Sequence, residues 1–168
     1  MSVTSYGATL FNSPVNDSNF DSNVIGKNSE AFTANDVVTI DASDGLKVAG
    51  ATDSVIGVVV KTQTMTSNNE TVAKVKPSYR VIDLDYEFLM GTNSDMSALT
   101  SVGAYFKLVA GGTGAQQVDT NAGAQTTTNR VVMCTSVDPN GLGGTGAGSG
   151  LRQGLFKFVK VFNVKSNT

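Results

Sequence analysis

The chain has 168 residues, a net charge of −2, 40% hydrophobic and only 15% charged residues, no histidine, no tryptophan and one cysteine. That length can bury about 70% of its unfolded surface in one core without disulfides or metals, and the charged fraction lies below the ~25% of an average soluble domain. No run of Lys or Arg supplies the basic footprint of direct nucleic-acid binding, the missing histidine removes most catalytic designs, and no apolar run reaches the ~20 residues of a membrane helix.

Residues 1–30 differ from the rest. The stretch is polar, with single apolar residues at Tyr6, Leu10, Phe11, Val15, Phe20, Val24 and Ile25. Neither the helical nor the strand period fits this spacing. The reading is an extended N-terminal arm, anchored through those seven residues on its own domain or on a neighbouring molecule. Its first residues lack the basic start and apolar stretch of a secretory signal. The expectation is a protein made and folded in a cytoplasm, or one that leaves it without the general export route.

From Ala31 to the end, residues 31–168, the signal is a β-domain. DVVTI (36–40) is a short strand. DASDG (41–45) is a turn, because Asp and Ser bond their own backbone and Gly45 tolerates positive φ. LKVA (46–49) returns as a second strand, and SVIGVVVKTQTM (54–65) is a long one. Gly57 within it predicts a bulge or a close backbone approach. SNNE (67–70) turns the chain, and Pro77 breaks it again.

YRVIDLDYEFLM (79–90) alternates over its whole length, with Arg80, Ile82, Leu84, Tyr86, Phe88 and Met90 on one face. That is the pattern of one half-buried antiparallel strand. NSDMSALTS (93–101) is the one candidate helix, capped by Asn93 or Ser94. AYFKLV (104–109), RVVMCTSV (130–137) and GLFKFVKVFNV (154–164) complete the strands. In the last, Phe156, Phe158 and Phe162 share a face, with Lys160 between them. A faint internal echo links AFTANDVVTI and SVIGVVV to ALTSVGAYFKL and RVVMCTSV, which suggests two similar β units. Many short strands and glycine-rich turns predict an all-β fold: a small β-barrel or a β-tulip or sandwich, with an N-terminal arm and at most one short helix.

Several motifs invite a chemical reading. GLGGTGAGSG (141–150) has the glycine content of a phosphate-binding loop. Such a loop needs a helix opening at its end, or Gly-Lys-Ser/Thr. Here LRQGLFKFVKVF follows, which is strand-like, so the stretch reads as a long hairpin connection. Asp83, Asp85 and Glu87 form an acidic row with carboxylates about 7 Å apart on a strand. A Ca²⁺ site or a glycosidase pair needs such groups, but a surface row, or one facing Lys157, needs nothing more. DASDG lacks the remaining ligands of a calcium loop. Cys134 lies in an apolar run and reads as a buried side chain. Acidic residues crowd residues 1–53, whereas 139–168 carry Arg152, Lys157, Lys160 and Lys165 and no acid. The two ends can attract one another between copies or pair within one chain. No catalytic residue, cofactor site or metal site is predicted, and the chain is not read as an enzyme.

The polar arm followed by AFTANDVVTIDASDGLKVAGATDSVIGVVV, then YRVIDLDYEFLMGTNSDMSALTSVGAYFKL and GLFKFVKVFNV, resembles the phage capsid decoration proteins, also called cement or head-stabilising proteins. The likeness covers residues 31–164. It implies a small β-barrel or β-tulip on the outer surface of an icosahedral virion, assembled in the host cytoplasm, often as a trimer at local three-fold axes. The implied partners are the major capsid protein and further copies of the chain, with neither nucleic acid nor membrane contacted directly. Two other classes fit the same sequence. One is another virion part, such as a tail-tube, collar or fibre module. The other is a glycan-binding or hydrolytic β-domain using the glycine loop or the Asp83–Asp85 strand.

Overall fold

Asp41 shows how local chemistry shapes the sheets. Its carboxylate accepts the N–H groups of Ser43 at 3.0 Å and Gly45 at 3.1 Å. This side chain closes the predicted turn and returns strand β4 (Val37–Ile40) as β5 (Leu46–Val48). A computed structural model describes residues 7–12, 20–21, 23–41, 43, 45–82, 84–94, 101–111, 114–126, 128–137 and 153–162.

In chain order the other strands are β1 (Thr9–Asn12), β2 (Phe20–Asp21), β3 (Ala31–Phe32), β6 (Gly57–Val59), β7 (Gln63–Thr64), β8 (Tyr79–Val81) and β9 (Glu87–Gly91). They are followed by β10 (Tyr105–Phe106), β11 (Leu108–Gly111), β12 (Gly114–Val118), β13 (Val132–Val137) and β14 (Gln153–Phe158). Two five-stranded antiparallel sheets carry the fold, one ordered β1-β9-β14-β13-β10 and the other β2-β8-β6-β4-β5. Two short ribbons, β11-β12 and β3-β7, flank them. The fold is all-β. Among the described residues no sheet closes on itself, so the sandwich form of the prediction holds and the barrel form does not.

Packing follows from the strand period. Phe88, Met90, Phe106, Cys134, Phe156 and Phe158 of the first sheet join Val37 and Val58 of the second in one buried cluster. Their neighbours Val38, Val59 and Tyr79 point from the opposite face of the second sheet into another cluster, with Phe32, Leu46, Ile56 and Met65. The second sheet is thus covered on both faces. That is why its strands read as continuous Val runs rather than apolar–polar alternation.

Three expectations change. YRVIDLDYEFLM is two strands, not one. β8 belongs to the second sheet and β9 to the first, and the chain turns at Leu84–Asp85 between them. Ile82, Tyr86, Phe88 and Met90 do share the main core, but Leu84 is exposed at the turn. SVIGVVVKTQTM likewise bends at Val60–Lys61, so β6 and β7 lie in different sheets. Phe162 is 46% exposed, whereas Phe156 and Phe158 are fully buried, so the three do not share one packed face. The helical segment that is seen is a single π-type turn, Asn69–Ala73, ended by Lys74 in the left-handed region at φ 50°. The candidate helix at 93–101 lies mostly outside the described residues.

Gly57 makes the close approach its position predicted. A Cβ there would overlap the Tyr79 ring and sit 2.6 Å from the Arg80 carbonyl oxygen. Gly57→Ala is expected to lower stability by about 1–3 kcal/mol through overpacking, read as a fall in the urea midpoint with an unchanged slope. A wild-type midpoint would show that the strands move apart freely.

The echo has a topological counterpart. β4, β6 and β8 lie side by side in chain order in the second sheet, as β10, β13 and β14 do in the first. An additional β segment follows the first strand of each trio.

Candidate binding surface

The N-terminal stretch is partly woven into the sheets. β1 forms the edge of the first sheet, opposite β9, and β2 the edge of the second, opposite β8. Ala8 is buried, and its N–H donates to the Asn35 carbonyl at 3.0 Å. Further on, the Leu46 N–H donates to Ile25 O, and the Lys27 N–H donates to Leu46 O, both at 2.8 Å. Of the seven arm residues, Leu10, Phe11 and Phe20 lie on these strands. Tyr6 and Val15 fall outside the described residues. Val24 and Ile25 are brought together. With Ile40, Asn23, Ser43, Gly45 and Glu70 they line an open groove of about 360 Å³.

Buried amides fasten the segments around this groove. Asn69, fully buried, donates from Nδ2 to the carbonyls of Gly26 at 2.6 Å and Val75 at 3.1 Å. Its Oδ1 accepts the Val75 N–H at 3.0 Å. Lys27 pairs with Asp41 at 2.9 Å. The hydrogen bond from Lys27 holds the Asp41 carboxyl below its usual range, and the same bond raises the lysine. The Asp41 carboxylate is therefore committed to Lys27 and to its own turn.

Asp85 and Glu87 of the acidic row do not lie on one strand. Asp83 lies outside the described residues, Asp85 sits in the exposed β8–β9 turn, and Glu87 opens β9 directly opposite Lys157 of β14. The reading that set this surface against Lys157 is therefore the one the register supports for Glu87. Among the described residues no three His, Cys, Asp or Glu side chains converge. Cys134 is buried, as its apolar run predicted. Burial pushes its thiol up to about 11, and its S–H faces the Ser136 carbonyl at 3.6 Å. A neutral buried thiol is a poor nucleophile. Burial also pushes Asp36 up, against the Thr33 N–H that donates to it at 2.7 Å. At Asp119 burial acts in the same direction but is outweighed by the Asn93 amide, the Ala122 N–H and Lys107, and the carboxyl lies below its usual range.

A second groove, of about 400 Å³, lies where β10, the segment before β13 and the end of β14 meet. Tyr105, Thr128, Arg130, Val159 and Lys160 line it. The Arg130 guanidinium lies over the Tyr105 ring, 4.4 Å from its centroid, an attractive cation–π geometry. The Lys160 ammonium donates to the carbonyls of Thr52 and Thr128. Sequence reading missed this groove. Its members come from three distant stretches, and the one local hint was Lys160 interrupting the phenylalanine series. The 141–150 glycine stretch lies outside the described residues.

Compared with known proteins, the chain matches no family model, no curated protein and no solved structure.

Proposed function

We propose that the chain is a structural virion protein that binds the outer surface of an icosahedral phage shell and ties major capsid subunits together. The observation that supports this reading most is the placement of the N-terminal strands at one edge of each five-stranded sheet. An edge strand offers a row of backbone donors and acceptors that a neighbouring strand can complete with little demand on sequence. Weak joints of that kind, repeated around a shell, sum to strong attachment through avidity. A low-charge surface suits such packing, and the task needs no chemistry. The partners are the major capsid protein and further copies of the chain, arranged as a trimer at local three-fold axes.

The test is co-sedimentation of the purified full-length protein with assembled phage shells that lack it. Saturable binding to shells, together with a higher shell disruption temperature, is the expected result. Protein left in the supernatant at all concentrations, or rings and tubes formed by the protein alone, would overturn the reading. Deleting residues 1–25 is a poor test of the arm, because it removes both β1 and β2 from their sheets.

A further inference from the structure

We infer that the Tyr105–Arg130–Val159–Lys160 groove is a docking surface for a protein segment that presents a carboxylate between apolar side chains. Charge complementarity is the first argument. Lys27, Lys47 and Lys107 each pair with an aspartate, Asp41, Asp53 and Asp119. Arg130 and Lys160 do not. Among the described residues their polar partners are backbone carbonyls, of Thr126 for Arg130 and of Thr52 and Thr128 for Lys160, with the Tyr105 ring as a further contact for Arg130. Among the described residues two cations therefore share one concave surface with no carboxylate paired to either, in a chain whose net charge is −2.

The second argument is apolar exposure around the same place. Val159, which lines the groove, is 37% exposed, and Phe162, two residues beyond Lys160, is 46% exposed. A bare phosphate or free acetate would use the cations and leave this apolar surface wet. A peptide with a carboxylate flanked by apolar side chains would use both. Arginine and tyrosine are also among the residues that most often anchor protein interfaces. Stacking on Tyr105 holds the Arg130 guanidinium in place before binding, and a planar fork suits a carboxylate. This assignment stands apart from the shell reading and holds whichever protein supplies the segment.

The test is fluorescence anisotropy of the full-length protein with a labelled eight-residue peptide of alternating glutamate and leucine. The same peptide with glutamine for glutamate is the control. The acidic peptide is expected to bind and the glutamine peptide to bind much more weakly. Arg130→Gln and, separately, Val159→Glu are each expected to weaken binding about tenfold or more, the first by removing a charge that pairs with the peptide and the second by setting a like charge against it. Lys76→Gln, an equal charge change at an exposed lysine elsewhere, is expected to leave affinity within about twofold, since a remote rim charge acts mainly on the on-rate. Val159 is partly exposed, so its variant remains informative if Arg130→Gln proves unstable in a thermal melt. Equal binding of both peptides, an equal loss in Lys76→Gln, or full competition by inorganic phosphate at matched ionic strength would each overturn the inference. So would an Arg130-dependent dimer that ignores the peptide.

Discussion

Phe88→Ala is expected to lower stability by about 3–5 kcal/mol, the range for removing a fully buried phenylalanine from a core, and the melting temperature by about 6–20 °C for a domain of this size. Phe88 has no exposed surface, and its ring meets the edge of Phe158 at 5.2 Å and 74°. The Tyr86 ring stands 6.4 Å from it. The residue also sits on β9, which pairs with β14 on one side and the N-terminal β1 on the other. A cavity there loosens the contact between the sheets and the seating of β1 together. The same circular dichroism melt, followed in parallel by limited proteolysis at the N-terminus, should report both. A loss below about 1 kcal/mol, far under the usual cost of such a cavity, would mean that the sheets do not pack as described.

Gln116→Leu is expected to be nearly as damaging, although it makes the core more apolar. Gln116 is buried on β12 and reaches across to β4 of the second sheet. Its Oε1 accepts the Val37 N–H at 2.6 Å, and its Nε2 donates to the carbonyls of Val37 at 2.9 Å and Ala49 at 2.8 Å. One amide thus satisfies three backbone groups where β4 begins and the chain leaves β5. The Val37 carbonyl keeps the Ala49 N–H at 2.9 Å, so the Val37 N–H and the Ala49 carbonyl are the two groups left unpaired, and at about 1–3 kcal/mol for each a total of about 2–6 kcal/mol is expected. Gln116→Glu is the sharper variant. A carboxylate can still accept from Val37 but can no longer donate, and it would set negative charge against two carbonyl oxygens. Urea unfolding of both variants decides the matter. A leucine variant as stable as wild type would show that water or a shifted backbone replaces all three bonds.

Much of the fold was legible because it was local. The Asp41 turn, the strands on either side of it, the close approach at Gly57 and the burial of Cys134 each follow from chemistry within a few residues. What could not be read was where strands change sheets. Alternation from Arg80 to Met90 is unbroken in sequence, yet the chain turns at Leu84–Asp85, and the strands on either side lie in different sheets. A period of two records which way a side chain points from its own strand and says nothing of which sheet the strand joins. Leu84 satisfies the pattern and still ends exposed, because it occupies the turn. Gln116 was invisible for a related reason. A glutamine in QQVD looks like surface until the backbone groups it serves, nearly eighty positions earlier, are placed beside it. The acidic row looked continuous for the same reason, although its reading as a surface facing Lys157 fits Glu87, and the Arg130–Lys160 groove needs three distant segments before it exists. Of the arm residues, sequence marked Val24 and Ile25 as anchors, but only the fold sets them in a groove beside Ile40.

The order in which the first sheet is assembled bears on how the protein is made. Its opening strand, β1, sits at the edge against β9, and β9 in turn lies against β14, the last strand among the described residues. A ribosome therefore releases the beginning of this sheet long before its middle is complete. Until β9 emerges, about half-way along the 168 residues, the leading segment has no partner strand in its own sheet.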